Sequence, residues 1–326
     1  MRSAFNTYAD APRLGCILLL ISFLPGSREK YTPRQAFVSD AFQKMNLLLE
    51  SSGGMLFGLR SRPYRPFGYP DSYHSIYDYL ATARSMKLVE TEKTKRDVLC
   101  RRSVLGDILV MSLREYMAGS LNTIMSLKFP INVAFTYLVM KDQVLRKIAN
   151  YISSKLPVDR FTMKDLKTMN SGKNNRFVKN MLWPRIWWLR DLKAIKEESR
   201  KAMKFRIIDR ELLEMIASGS VNIFYKMGAK KVDLSGVLRV GDKFLREFGE
   251  LVEFRTINEL HDIFALYLLS NGVFAGNTWR AVQSLIFVNE ACVDKDGRVS
   301  FQRFNTGMKF VRLGRKRNRP KKDSNL

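Results

Sequence analysis

Arg176, Lys179 and Arg185 stand three and then six positions apart, with Asn175 and Asn180 among them and Arg190 and Lys193 on the next turn. A helix would gather most of these on one side. Guanidinium and amide groups pair with base edges in a major groove, and cations neutralise phosphates. Past this stretch Lys196, Arg200, Lys201 and Lys204 punctuate an apolar–polar alternation. Arg84, Lys87, Lys93, Lys95 and Arg96 do the same earlier in the chain. Arg60, Arg62 and Arg65 surround Tyr64 in a proline-rich stretch, and an aromatic among arginines can stack on a base or pack beneath their stems. Arg315, Lys316 and Arg317 open a basic run that continues to Lys322.

Catalytic spacings are scarce. The sequence holds no Walker loop, no GxGxxG and no GxSxG. His74 and His261 are its two histidines, so a histidine-rich metal site is excluded by count. Cys16, Cys100 and Cys292 are far apart in apolar surroundings, which fits reduced, buried thiols inside a cell. Asp209, Glu211 and Glu214 are the acids a metal-dependent nuclease would need, yet acids at a helix start are also what the helix dipole favours. Asp294 to Gly297 has the look of a calcium loop but lacks its remaining ligands, and a hairpin turn accounts for it. The expectation is therefore a non-enzyme without cofactor or metal.

The formal net charge is +25, with 56 Lys and Arg against 31 Asp and Glu in 326 residues. So large an excess repels itself unless a polyanion screens it. Nucleic acid is the first candidate partner, duplex DNA ahead of RNA, and an anionic membrane surface is the alternative. Cys16–Leu24 is apolar but too short to span a bilayer, and Pro25-Gly26 stops it as a buried helix.

These residues need elements to hold them. Helical spacing is read over Leu14–Leu24, Phe37–Gly54, Tyr73–Leu88, Val104–Met117, Met140–Leu156, Arg210–Ile216, Thr256–Gly272 and Asn277–Val293. Ser72 and Thr162, the latter with Asp165 three residues on, are read as helix caps. Arg176–Ile195 is expected to be one long helix that Pro184 kinks or splits, with Trp183, Trp187 and Leu192 turned to a core. Hairpins are expected at Met86–Leu99, Leu192–Ile208 and Asn289–Gln302, where Asp296-Gly297 is the clearest turn signal. Each follows a helix bearing arginine and aromatic residues.

That order, helix, helix, hairpin, resembles the winged helix-turn-helix superfamily. The likeness is best over Met140–Ile216, fair over Leu14–Met117 and weak over Thr256–Gln302. The first segment, with its basic proline-containing loop and Leu80–Glu90, is similar to archaeal and bacterial winged-helix regulators. The third departs, because Leu285–Ala291 is apolar with an acid and poor for a DNA-reading surface. The resemblance implies a third helix in the major groove and a wing on the backbone. The fold expected is mainly α with short β-hairpins (α+β), in tandem winged-helix units at 13–125, 130–220 and 230–312. A leader (1–12) and a basic, disordered tail (313–326) flank them. The function expected is non-catalytic nucleic-acid binding in transcription or replication. A packaging protein for RNA or single strands is the alternative. Residues 256–302 could pair copies of the chain. An intracellular place is expected, in the cytoplasm or nucleoid, or in a nucleus reached through the basic tail.

Overall fold

An unbroken apolar run has no polar face to show to water, and all of Leu14–Ile21 is buried. In the computed structural model, which describes residues 12–53, 69–114, 127–156, 159–167, 178–199, 202–252, 255–289, 292–304 and 307–310, this run forms α1 (Leu14–Phe23). The short strand β1 (Thr32–Pro33) leads into α2 (Arg34–Gly53). Then come α3 (Tyr73–Ser85) and a hairpin of β2 (Val89–Lys93) and β3 (Val98–Arg102), closed by α4 (Val104–Arg114). β3 is the middle strand: Cys100 faces Thr32 of β1 on one side and Thr91 of β2 on the other.

The same order recurs after α5 (Ile131–Val139). Helix α6 (Gln143–Lys155), strand β4 (Arg160–Thr162) and helix α7 (Met163–Lys167) are followed by one π turn, Val178–Leu182. That turn runs into α8 (Trp183–Asp191), and the hairpin β5 (Ile195–Ser199) and β6 (Lys204–Ile207) leads to α9 (Arg210–Ser218). Again the last strand is central, in the order β4-β6-β5. Next come α10 (Asn222–Lys226) and β7 (Lys230–Val232).

A third set follows. It comprises α11 (Leu234–Val252), β8 (Arg255–Thr256), α12 (Ile257–Ser270), β9 (Val273–Ala275), α13 (Thr278–Val288), β10 (Cys292–Val293) and β11 (Arg298–Phe304), with β12 (Gly307–Phe310) beyond. Here β11 is central, paired with β8 through Arg298 and Thr256 and with β10 through Cys292 and Ser300. Strand β9 stands apart from this sheet and pairs in parallel with β7. The fold is thus mainly helical with small sheets, antiparallel except for that pair among the described residues. Two compact units result: Met1–Val232 with Ala265–Gly276, and Asp233–Phe264 with Asn277–Leu326.

Local chemistry explains the junctions. Thr162 and Thr256 each end a strand and start a helix, and the acid three residues on reaches back. Asp165 Oδ2 accepts from Thr162 N at 2.6 Å, and Glu259 Oε2 accepts from Thr256 N at 3.0 Å. Ser72, Asp142, Asp209 and Asn277 cap α3, α6, α9 and α13 by accepting backbone N–H bonds. Within the described part of Arg176–Ile195 the chain is one helical run in which the π turn passes directly into α8. The change of winding falls beside Pro184, and the run ends at Asp191 rather than Ile195. Among the described residues no helix is long and apolar enough to cross a membrane.

Candidate nucleic-acid interface

Helices α3 and α8 end alike. Lys87 N donates to Arg84 O at 2.9 Å and Leu88 N to Ala83 O at 3.0 Å; Lys193 N donates to Arg190 O and Ala194 N to Leu189 O, both at 2.9 Å. This crossed pair of bonds is the Schellman motif, whose turning residue takes a left-handed conformation and is usually glycine. The chain uses glycine for it elsewhere, at Gly219 (φ 71°) and Gly228 (φ 99°). At α3 and α8, two of the three helices that feed a hairpin, it uses lysine instead, Lys87 at φ 62° and Lys193 at φ 64°. A side chain in that region costs about 1–2 kcal/mol relative to the right-handed one. Both lysines are exposed, so packing does not recover that cost.

The turn at Lys87 is held from behind. Ser103 Oγ donates to Lys87 O at 2.6 Å, and Ser103 N donates to Leu88 O at 3.0 Å. Helix α4 lies so close that a Cβ on Gly106 would stand 2.3 Å from the Leu88 carbonyl oxygen, so glycine alone fits there. In the second set Ile208 N and Asp209 N both donate to Ala194 O. The lysines therefore project from rigid corners, each between a helix end and a hairpin.

The hairpins carry exposed cations as expected at several positions. Lys93, Lys95 and Arg96 crowd the tip between β2 and β3, and Arg84 is exposed on the last turn of α3. Lys196 and Lys204 are exposed on β5 and β6. Arg190 is half-buried, its guanidinium 4.7 Å from the centre of the Trp187 ring and 4.0 Å from Glu197. Asn180 is half-buried on the π turn. Asn175, Arg176, Arg200, Lys201, Arg60, Arg62, Arg65, Arg315, Lys316 and Arg317 lie outside the described residues, as does the side chain of Lys179.

Arg185 requires a correction: it is not a surface contact. Its side chain is 0 % exposed and is paired with an equally buried Asp142, Nη2 to Oδ2 at 2.6 Å and Nε to Oδ2 at 2.9 Å. Its Nη1 donates to Met181 O at 2.8 Å. Burial pulls the guanidinium down from its ordinary value, and the Asp142 carboxylate pulls it back up. Its neighbours share its position, because Pro184, Ile186, Trp187, Trp188, Leu189 and Asp191 are buried as well. Asp191 receives Arg13 Nε at 2.8 Å and Leu14 N at 3.0 Å, which ties the end of α8 to the start of α1. Burial pushes the Asp191 carboxyl up to about 6, with Arg13 and the Leu14 N–H pulling the other way. Helix α8 is thus largely internal, with Trp183 and Arg190 at its two ends half-buried and Lys193 exposed just beyond it.

The acids at the start of α9 have structural partners. Asp209 caps the helix through Leu212 N, and Lys226 bonds both Asp209 and Glu211. No group of three or more His, Cys, Asp or Glu among the described residues could hold a metal. The strand-to-helix junction read in the sequence at Thr162 and Asp165 recurs at Thr256 and Glu259. No family model, curated protein or solved structure matches the chain.

Proposed function

We propose that the chain is a non-catalytic nucleic-acid-binding protein made of tandem winged-helix units, with duplex DNA as its ligand in transcription or replication. The repeated order of helix, short strand, helix, helix and hairpin, with the hairpin's second strand central each time, supports the winged-helix reading, although the third set adds β9 between its helices and β12 at the edge of its sheet. The net charge of +25 supports a polyanionic ligand. The observation that carries the reading is the pair of lysines in left-handed turns. Glycine would be the less strained residue at both corners. A cation kept in an unfavourable conformation, exposed, at equivalent places in two of the repeated sets, is best explained by what its charge meets outside. In a winged-helix unit that corner lies between the groove-facing helix and the wing, where a phosphate backbone passes.

The reading separates stability from binding. A variant with Lys87→Gly and Lys193→Gly is expected to be as stable as the parent or to gain up to about 1 kcal/mol per site. Its affinity for random duplex should fall, and the salt slope should become shallower by about one unit for each lysine lost. Thermal melts and fluorescence anisotropy measure the two effects independently. A stabilised variant with unchanged affinity and slope would remove these corners from the interface.

A further inference from the structure

The third helices of the sets differ in what they leave outside. Helix α8 is largely internal. Helix α3 shows Tyr73, His74 and Arg84, while Tyr77 is half-buried under Arg34, 5.4 Å from ring centre to guanidinium. Helix α13 shows Trp279, Arg280 and Gln283 at its first turns, while Ala281, Val282 and Leu285 hold it to the core of its unit. Positions 279, 280 and 283 share one face of a helix. Asn277 Oδ1 accepts from Arg280 N at 3.0 Å and fixes where that face begins.

Trp279 is 43 % exposed, whereas Trp187 and Trp188 are 0 % exposed and Trp183 is half-buried. The His261 ring lies nearly parallel to Trp279, with centroids 4.5 Å apart and planes 19° from each other. One face of the indole is therefore held against an imidazole from α12, and part of the ring remains open to solvent. A large apolar ring kept outside, clamped in orientation and flanked by a guanidinium and an amide, is built for contact. Arginine pairs with O6 and N7 of guanine, glutamine pairs with N6 and N7 of adenine, and an apolar surface meets the methyl of thymine.

We infer that Trp279, Arg280 and Gln283 are the base-contacting surface of the chain, with duplex DNA as its occupant. This rests on the reading of the chain as a nucleic-acid binder, and it moves sequence recognition from the middle set to the third. The corners at Lys87 and Lys193 then hold backbone, while α13 reads bases.

The test uses the full chain. Tryptophan emission is followed during titration with a duplex drawn from a selected pool, with random duplex, and with a single strand of the same length. Duplex should change the emission, and Trp279→Phe should abolish that change. Arg280→Ala and Gln283→Ala should each weaken the selected duplex about 5- to 150-fold while leaving random duplex nearly unaffected. All three side chains are exposed, and equal melting temperatures establish that the variants fold. Duplex binding without an emission change, and with all three variants at parental affinity, would overturn the assignment while leaving the wider reading intact. A response to the single strand alone would overturn the duplex assignment. A parent chain that binds no nucleic acid would overturn both.

Discussion

An Asp142→Ala variant is expected to lose about 3–5 kcal/mol of stability, as is typical when one partner of a buried ion pair is removed. The reason lies in what the carboxylate does. Oδ2 takes two bonds from Arg185, and Oδ1 accepts from Val144 N at 2.8 Å and Leu145 N at 3.2 Å. Alanine would leave a guanidinium buried without its anion and uncap α6, the latter alone worth about 1 kcal/mol. A domain has about 5–15 kcal/mol in total, so the loss is a large share. Urea unfolding followed by tryptophan emission measures it directly, because Trp188 lies 5.7 Å from the Arg185 guanidinium. Removing both charges, as Asp142→Asn with Arg185→Met, retains a capping side chain and strands no ion. That double variant should recover most of the loss, and a loss below about 1 kcal/mol for Asp142→Ala alone would mean that the pair is not buried as described.

The second large effect is on binding. Replacing Lys93, Lys95 and Arg96 with alanine, and Lys87 and Lys193 with glycine, removes cations that are all exposed. If each meets a phosphate, the salt slope should become shallower by about 4 to 5 units. Affinity for random duplex at physiological salt should drop on the order of a thousandfold. Stability should change little, because surface substitutions usually stay within about 0.5 kcal/mol and the two glycines relieve left-handed turns. Anisotropy of a labelled duplex reads the first result and a thermal melt reads the second. An affinity within about threefold of the parent would place these side chains away from the ligand.

The sequence made some of this legible and hid the rest for physical reasons. The hairpins announced themselves by alternation, and Asp296-Gly297 marked the turn between β10 and β11, where Gly297 has φ 74°. The burial of α1 followed from its unbroken apolar run. The interior place of α8 did not, because arginines among tryptophans read as a surface with a core side. What reverses that reading is Asp142, 43 residues away, and a long-range ion pair leaves no periodic trace. The left-handed lysines were hidden because the local signal for such a turn is glycine or asparagine. The apolar Leu285–Ala291 marks the later turns of the third set's hairpin-feeding helix as poor for DNA reading. Its exposed chemistry sits earlier, at Trp279, Arg280 and Gln283.

The central claim is that the cationic excess meets a phosphate backbone. The affinity of the unmodified chain for a random duplex, measured from about 50 to about 200 mM salt, tests it most directly. A straight line of log affinity against log salt is predicted, with a total fall of about a thousandfold or more, corresponding to at least about six phosphates neutralised. An affinity flat across that range, or no binding at its lowest salt, would contradict it.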